Sequence, residues 1–258
     1  MNDDDKIPFT SHLEELRHRL IISFIAVAIG FAAAYGFKEY LFEILVRPLK
    51  LVMAEGDTLI FTNLPEAFFT YLKVAFLTGI GLASPVLIYQ FWMFVAPGLY
   101  DKEKRMLLPI VFLSTLFFVG GALFGYFIVF PYGFEFFLGF ATETIRPMPS
   151  MKEYLSFAAK LLLAFGVVFE LPLVITFMAK LGLVTVPFLK RNRKYAVLLF
   201  FAGAAILTPP DVVTQVMMAL PLMLLYEVSI VGARIFGRKP LDATDTKEDA
   251  PENHPSAE

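Results

Sequence analysis

The chain has 258 residues, 57% of them hydrophobic and only 18% charged, with 29 Phe and a formal net charge of −2. Soluble domains are nearer a quarter charged, so this composition describes an all-α, polytopic integral membrane protein, and its faintly acidic balance excludes nucleic acid as a partner. Cys is absent, His12, His18 and His254 lie outside the apolar stretches, and no HExxH, GxSxG or GxxxxGK[ST] pattern occurs, so the chain is expected to be no enzyme and to need no metal or other cofactor.

Residues 1–19 are polar. Ser11-His12-Leu13-Glu14 matches a capping box, and Leu13, Leu16 and Leu20 form a stripe suited to a short amphipathic helix on a membrane surface. The first span is expected at about 20–37. Its acidic flank and the five spans that follow distinguish it from a removable signal peptide. Between Lys38 and Pro65, Leu41, Phe42, Ile44, Leu45 and Leu49 interleave with Glu43, Arg47 and Lys50, which predicts an interfacial cap helix ending near Pro48. The second span, about 67–94, contains Lys73, close enough to the interface to snorkel, and Pro85, which should kink it.

The third span runs from about 106 to 130 and extends past Pro131 toward Phe140. Its Gly120, Gly121 and Gly125 permit close helix approach. The fourth, about 154–181, reads as one long helix with Glu170 far from either end, roughly 24 Å from Tyr154 and roughly 15 Å from Lys180. A fifth span at 195–207 and a sixth at 212–230 are joined by Thr208-Pro209-Pro210-Asp211 into a hairpin. The fifth is short enough to thin the bilayer locally. Residues 237–258, rich in Asp, Glu, Pro and Thr, should form a disordered tail.

Orientation follows from the basic residues at the span ends. Arg17, Arg19, Lys102, Lys104, Arg105, Lys190, Arg191, Arg193, Lys194, Arg234, Arg238 and Lys239 share the side of the N-terminus, against Lys38, Arg47, Lys50, Arg146 and Lys152 on the other. Both termini are therefore expected in the cytoplasm.

A carboxylate at the depth of Glu170 is expensive in hydrocarbon. It is either a functional group facing a wet cavity or a protonated hydrogen-bonding partner between helices. Glu14 and Glu15 before span one, and Asp101 and Glu103 before span three, stand among the cytoplasmic bases. Local i,i+4 pairing, Glu15 with Arg19 and Glu14 with His18, is one account of them. The other is an acidic pocket that grips guanidinium groups bidentately, as Lys cannot be gripped, beside Phe94 and Leu99. Asp211 has the position of a helix N-cap, and Gln215 that of an amide bonded within its own bundle.

His12-Leu13-Glu14-Glu15-Leu16-Arg17-His18-Arg19-Leu20 resembles the N-terminal motif of the TatC family of twin-arginine protein translocases. Ser84-Pro85, Tyr89-Gln90, Phe94 to Tyr100, Glu103-Lys104-Arg105, Tyr126-Phe127, Phe130-Pro131, Tyr154, Phe165-Gly166, Phe169 to Pro172, Leu207 to Val212 and Gln215 continue the resemblance in order over about residues 8–236. It implies six helices in a cupped, concave bundle in the cytoplasmic (inner) membrane, both termini inside. It further implies a receptor and core subunit that binds the Arg-Arg signal peptides of folded proteins and works on the proton-motive force. Glu15 and Glu103 match the positions that contact the paired arginines, with Arg17, Phe94 and Leu99 beside them. Glu170 matches an acid on the concave side. Pro48 belongs to the outer cap, and Asp211 and Gln215 lie by the short hairpin that docks TatA- and TatB-like single-span subunits. Self-association is implied as well.

Two rivals compete with that expectation. A proton-coupled carrier or channel would use Glu170 as its proton site but predicts a pore or inverted repeats, and the two halves show no evident internal similarity. A scaffold subunit with no binding task would tolerate charge changes at Glu15 and Glu103.

Overall fold

Prolines and glycines decide where this chain bends and where its helices touch. The structure, a computed structural model, describes residues 9–54, 57–95, 107–142, 144, 146–207 and 212–237. It is all-helical, apart from one isolated bridge between Ile60 and Ser150. Among the described residues, five stretches are long and apolar enough to cross a bilayer: Leu13–Tyr35, Glu66–Val95, Leu108–Leu138, Met151–Lys180 and Val212–Phe236.

Helix α1 (Phe9–Tyr35) is continuous. Ser11 therefore lies inside the helix rather than capping it, and the surface stripe and the first span are one rod. α1 packs antiparallel to α3 (Glu66–Val95) at a crossing with no room for side chains. A Cβ on Gly30 would lie 2.6 Å from the Gly79 carbonyl oxygen. Pro85 leaves α3 unbroken. Proline lacks the N–H that would bond the carbonyl four residues back, and the Ser84 hydroxyl donates to that carbonyl, on Gly81, at 2.7 Å.

α2 (Lys38–Lys50) is the expected helix between the first two spans. Its Leu45, Val46, Pro48 and Leu49 are buried. Pro48 frees the Ile44 carbonyl, and Tyr126 donates its hydroxyl to it at 2.5 Å. Tyr154 reaches the next carbonyl, on Leu45, at 2.6 Å. Two distant tyrosines thus satisfy the backbone that a proline disturbs.

The third span is α4 (Leu107–Phe124), a π-helical turn (Gly125–Val129) and α5 (Phe130–Leu138). The widened turn sits just before Pro131, whose missing N–H removes the usual bond. The fourth span is not one helix. α6 (Met151–Val168) ends and α7 (Leu171–Lys180) begins on either side of Phe169-Glu170. Pro172, in the first turn of α7, cannot donate to Val168, and the Glu170 N–H bonds the Val167 carbonyl instead, at 3.1 Å.

α8 (Val186–Arg191) precedes α9 (Arg193–Leu207), a helix of 15 residues. At 1.5 Å per residue α9 is roughly 22 Å long, shorter than a hydrocarbon core of about 30 Å. α10 (Val212–Phe236) returns along it and packs on α7. The main core joins buried residues of α2, α3, α5, α6, α9 and α10, including Val46, Val74, Phe130, Phe165, Phe200 and Met218. The segments before α3 and before α6 are zipped by Ile60 N–H to Pro149 O at 3.1 Å and Met151 N–H to Ile60 O at 2.9 Å.

Candidate functional site

Three polar positions stand out on this scaffold, one at each end of the bundle and one in its depth. At the N-terminal end of α1, Arg19 lies one helical turn beyond Glu15. Its Nε donates to Glu15 Oε1 at 3.0 Å and its Nη2 bonds the same oxygen. Its Nη1 donates to Gln90 Oε1 on α3 at 3.2 Å. The pairs Arg19–Gln90 and Gly30–Gly79 fall in one antiparallel register, which carries both this polar bolt and the glycine crossing. The pair is half-buried, where a guanidinium–carboxylate bond outweighs its fully exposed counterpart.

Arg17 is exposed on the same helix, and Phe94 is half-buried one turn beyond Gln90. Leu99, Glu103 and Asp211 lie outside the described residues, so the partnership of Glu15 with Glu103 rests on the sequence. Local pairing of Glu15 with Arg19 was anticipated; the reach to Gln90, 71 residues away, was not. A glutamine one turn from the end of an apolar helix is the signal that would have pointed to it.

In the depth of the bundle, the break between α6 and α7 presents Glu170. The Ser114 hydroxyl of α4 faces its carboxyl, and its Oε1 is buried with no partner among the described residues. Ser114 also accepts a hydrogen bond from Trp92 Nε1 of α3 at 2.8 Å, and the Trp92 ring meets Phe177 of α7 edge-on, with centroids 4.8 Å apart. Three elements thus converge on one acid. Trp92, the chain's single Trp, and Ser114 were both missed, because neither shows its partner in the local pattern.

Gln215 behaves as a bundle amide should: its Nε2 donates to the Phe201 carbonyl of α9 at 2.9 Å. Pro48 is buried, and the two tyrosines bond the carbonyls four and three residues before it. An apolar cavity of about 410 Å³ opens between α2, α3, α4 and α6, lined by Leu45, Leu77, Phe118, Tyr126 and Leu162 among others.

The opposite end holds a site that sequence reading passed over. Glu66 opens α3 and is only 5% exposed. Its Oε2 accepts from Thr62 N–H at 2.7 Å, Thr62 Oγ1 at 2.9 Å and Asn63 N–H at 3.4 Å. Its Oε1 accepts from Ser150 Oγ at 2.6 Å and Lys152 N–H at 3.0 Å. One carboxylate therefore ties together the two segments that precede α3 and α6.

Comparison with known proteins places these features. A family model described as the Sec-independent protein translocase protein (TatC) matches residues 11–221. A Sec-independent protein translocase protein TatC from Desulforapulum autotrophicum is 67% identical over 251 residues, 97% of this chain and 92% of the relative. One from Magnetococcus marinus is 49% identical over 237 residues, 92% of this chain and 87% of the relative. A crystal structure described as the twin arginine translocase receptor TatC superimposes with a TM-score of 0.80 at 44% identity, over 88% of this chain and all of that one.

Proposed function

The chain belongs to the TatC family of Sec-independent protein translocase proteins, and from that premise we propose that it is the receptor and core subunit that binds twin-arginine signal peptides at its cytoplasmic face. Its role is transport across the membrane rather than catalysis, driven in this proposal by the proton-motive force. The observation that carries the reading is the occupied carboxylate of Glu15. A guanidinium already sits on it, so its geometry and burial suit a second one.

In this reading α9 is the fifth of six spans, sunk or matched by a thinned bilayer, α10 is the sixth, and both termini are cytoplasmic. Glu15 and Glu103 hold the paired arginines, with Arg17 setting the local field and Phe94 and Leu99 meeting the apolar residues that follow. The apolar part of the signal then lies along the bundle, for which the cavity between α2, α3, α4 and α6 offers a matching surface. Glu170 is the intramembrane polar contact. Gln215 and Asp211 shape the hairpin where TatA- and TatB-like single-span subunits dock, Pro48 shapes the outer cap, and copies of the chain associate with one another in the inner membrane.

Binding of a synthetic Arg-Arg signal peptide to the purified chain in detergent tests this, with a Lys-Lys peptide as control. Wild type should prefer Arg-Arg, and Glu15→Ala or Glu103→Ala should abolish the preference. If all proteins and peptides behave alike, these acids are local salt-bridge partners and recognition lies elsewhere.

A further inference from the structure

Two cavities meet at Lys73. One, of about 770 Å³, lies at the Glu66 end of the bundle and is lined by Thr62, Pro65, Glu66, Phe69, Lys73 and Lys152. The other, of about 410 Å³, is an apolar groove between α1 and α3, lined by Phe24, Val27, Phe31, Leu72 and Phe76 and ending on Lys73. Lys73 lies seven residues into α3, roughly 10 Å below its start. The antiparallel register that pairs Gly30 with Gly79 sets Lys73 level with the end of α1. On α1 the groove's lining runs from Phe24 to Phe31, roughly 10 Å along the helix, enough for a stretch of a fatty acyl chain.

The charges at the junction are unbalanced. Neither the Lys73 nor the Lys152 ammonium has an ion-pair or hydrogen-bond partner among the described residues. The one acid among the lining residues, Glu66, turns both oxygens to five other donors. Even counting Glu66 as ionised, the cavity carries one net positive charge. A cation beside hydrocarbon, with its stem along apolar side chains, draws an anion down to it. Phe69 and Phe76, 55% and 50% exposed, flank the route between the two cavities.

We propose that this junction is a binding site for one anionic phospholipid, its phosphate between Lys73 and Lys152 and one acyl chain in the α1–α3 groove. Charge selects the headgroup, and the continuous apolar groove selects a lipid over a soluble anion. The site is on the far side of the α1–α3 crossing from Glu15 and owes nothing to peptide recognition. It gives the outer part of that helix pair a defined lipid neighbour, where a zwitterionic lipid would leave the lysines without a counter-charge.

The test uses the full chain in detergent, titrated with phosphatidylglycerol or phosphatidylcholine and read by native mass spectrometry and by the thermal midpoint. One phosphatidylglycerol adduct should form in preference to phosphatidylcholine, and the midpoint should rise with it. Lys73→Gln or Lys152→Gln should weaken that adduct about fivefold each, whereas Lys73→Arg should keep it. The unliganded midpoint of each variant reports that it is folded. Equal adducts of the two lipids on wild type, or a preference untouched by either Gln variant, would overturn the site. So would an equal midpoint shift from inorganic phosphate or glycerol phosphate, which would assign the lysines to a soluble anion.

Discussion

Arg19 bonds Glu15 on its own helix and Gln90 on α3 at once. A guest guanidinium that needs Glu15 must share or displace this resident one. An ammonium, with no planar fork, competes less well. Arg19→Gln should therefore raise affinity for both test peptides and help Lys-Lys more, so that the Arg-Arg to Lys-Lys ratio falls about two- to fivefold, the range of a partly exposed ion pair. Titration of both labelled peptides against wild type and variant measures this. Equal weakening of both would make Arg19 a brace for the helix and not a guard of the carboxylate.

The Pro48 region gives a double-mutant cycle. Tyr126→Phe removes the donor to the Ile44 carbonyl and should cost about 0.5–1.5 kcal/mol. In a Pro48→Ala background the new N–H can bond that carbonyl, so the same change should cost less. Tyr154→Phe should cost about 1–3 kcal/mol in either background, since its acceptor, Leu45, is buried and not the carbonyl freed by proline. Denaturation in mixed micelles reads all four combinations. Identical Tyr126→Phe costs with and without Pro48 would refute the pairing.

Much of this architecture was legible. Apolar run length located the five long spans, and Gln215 found its partner inside the bundle as amides in lipid do. The break at Phe169-Glu170 was hidden because apolar composition continues across it, although Pro172 was in view. Gly121 packs its Cα against α6 while Gly120 opens onto nothing, and Gly30 and Gly79 went unremarked. Which glycine meets a neighbour depends on rotation about the helix axis, and lipid-facing and helix-facing residues are equally apolar here. Glu66, between the outside segment and the second span, went unremarked. Its five donors come from positions up to 86 residues away, a distance no local pattern spans.

Glu66→Gln should destabilise the fold although it is nearly isosteric. Each carboxylate oxygen accepts from a backbone N–H, which cannot accept in return, so an amide nitrogen on either side faces an N–H even if the Thr62 or Ser150 hydroxyl rotates to accept from it. The expected loss is about 1.5–3 kcal/mol, with faster protease nicking of the segment before α3. Ser150→Ala, which deletes one of five donors, should cost less. A Gln variant as stable and as protease-resistant as wild type would show that the site does not need the carboxylate.

Because Trp92 is the single Trp, its emission isolates the polar chain that leads to Glu170. Ser114→Ala deprives the buried Nε1–H of its acceptor and should move the emission to shorter wavelength, at a stability cost of about 1–3 kcal/mol. The Ser114 hydroxyl that accepts from Trp92 faces the Glu170 carboxyl. Glu170→Ala should therefore also shift the emission, yet change little once Ser114 is already Ala. Emission spectra of the two single variants and the double variant decide the matter. If the Glu170→Ala shift is unchanged in the Ser114→Ala background, the acid acts on the indole by repacking around α7 and Phe177 rather than through the hydroxyl.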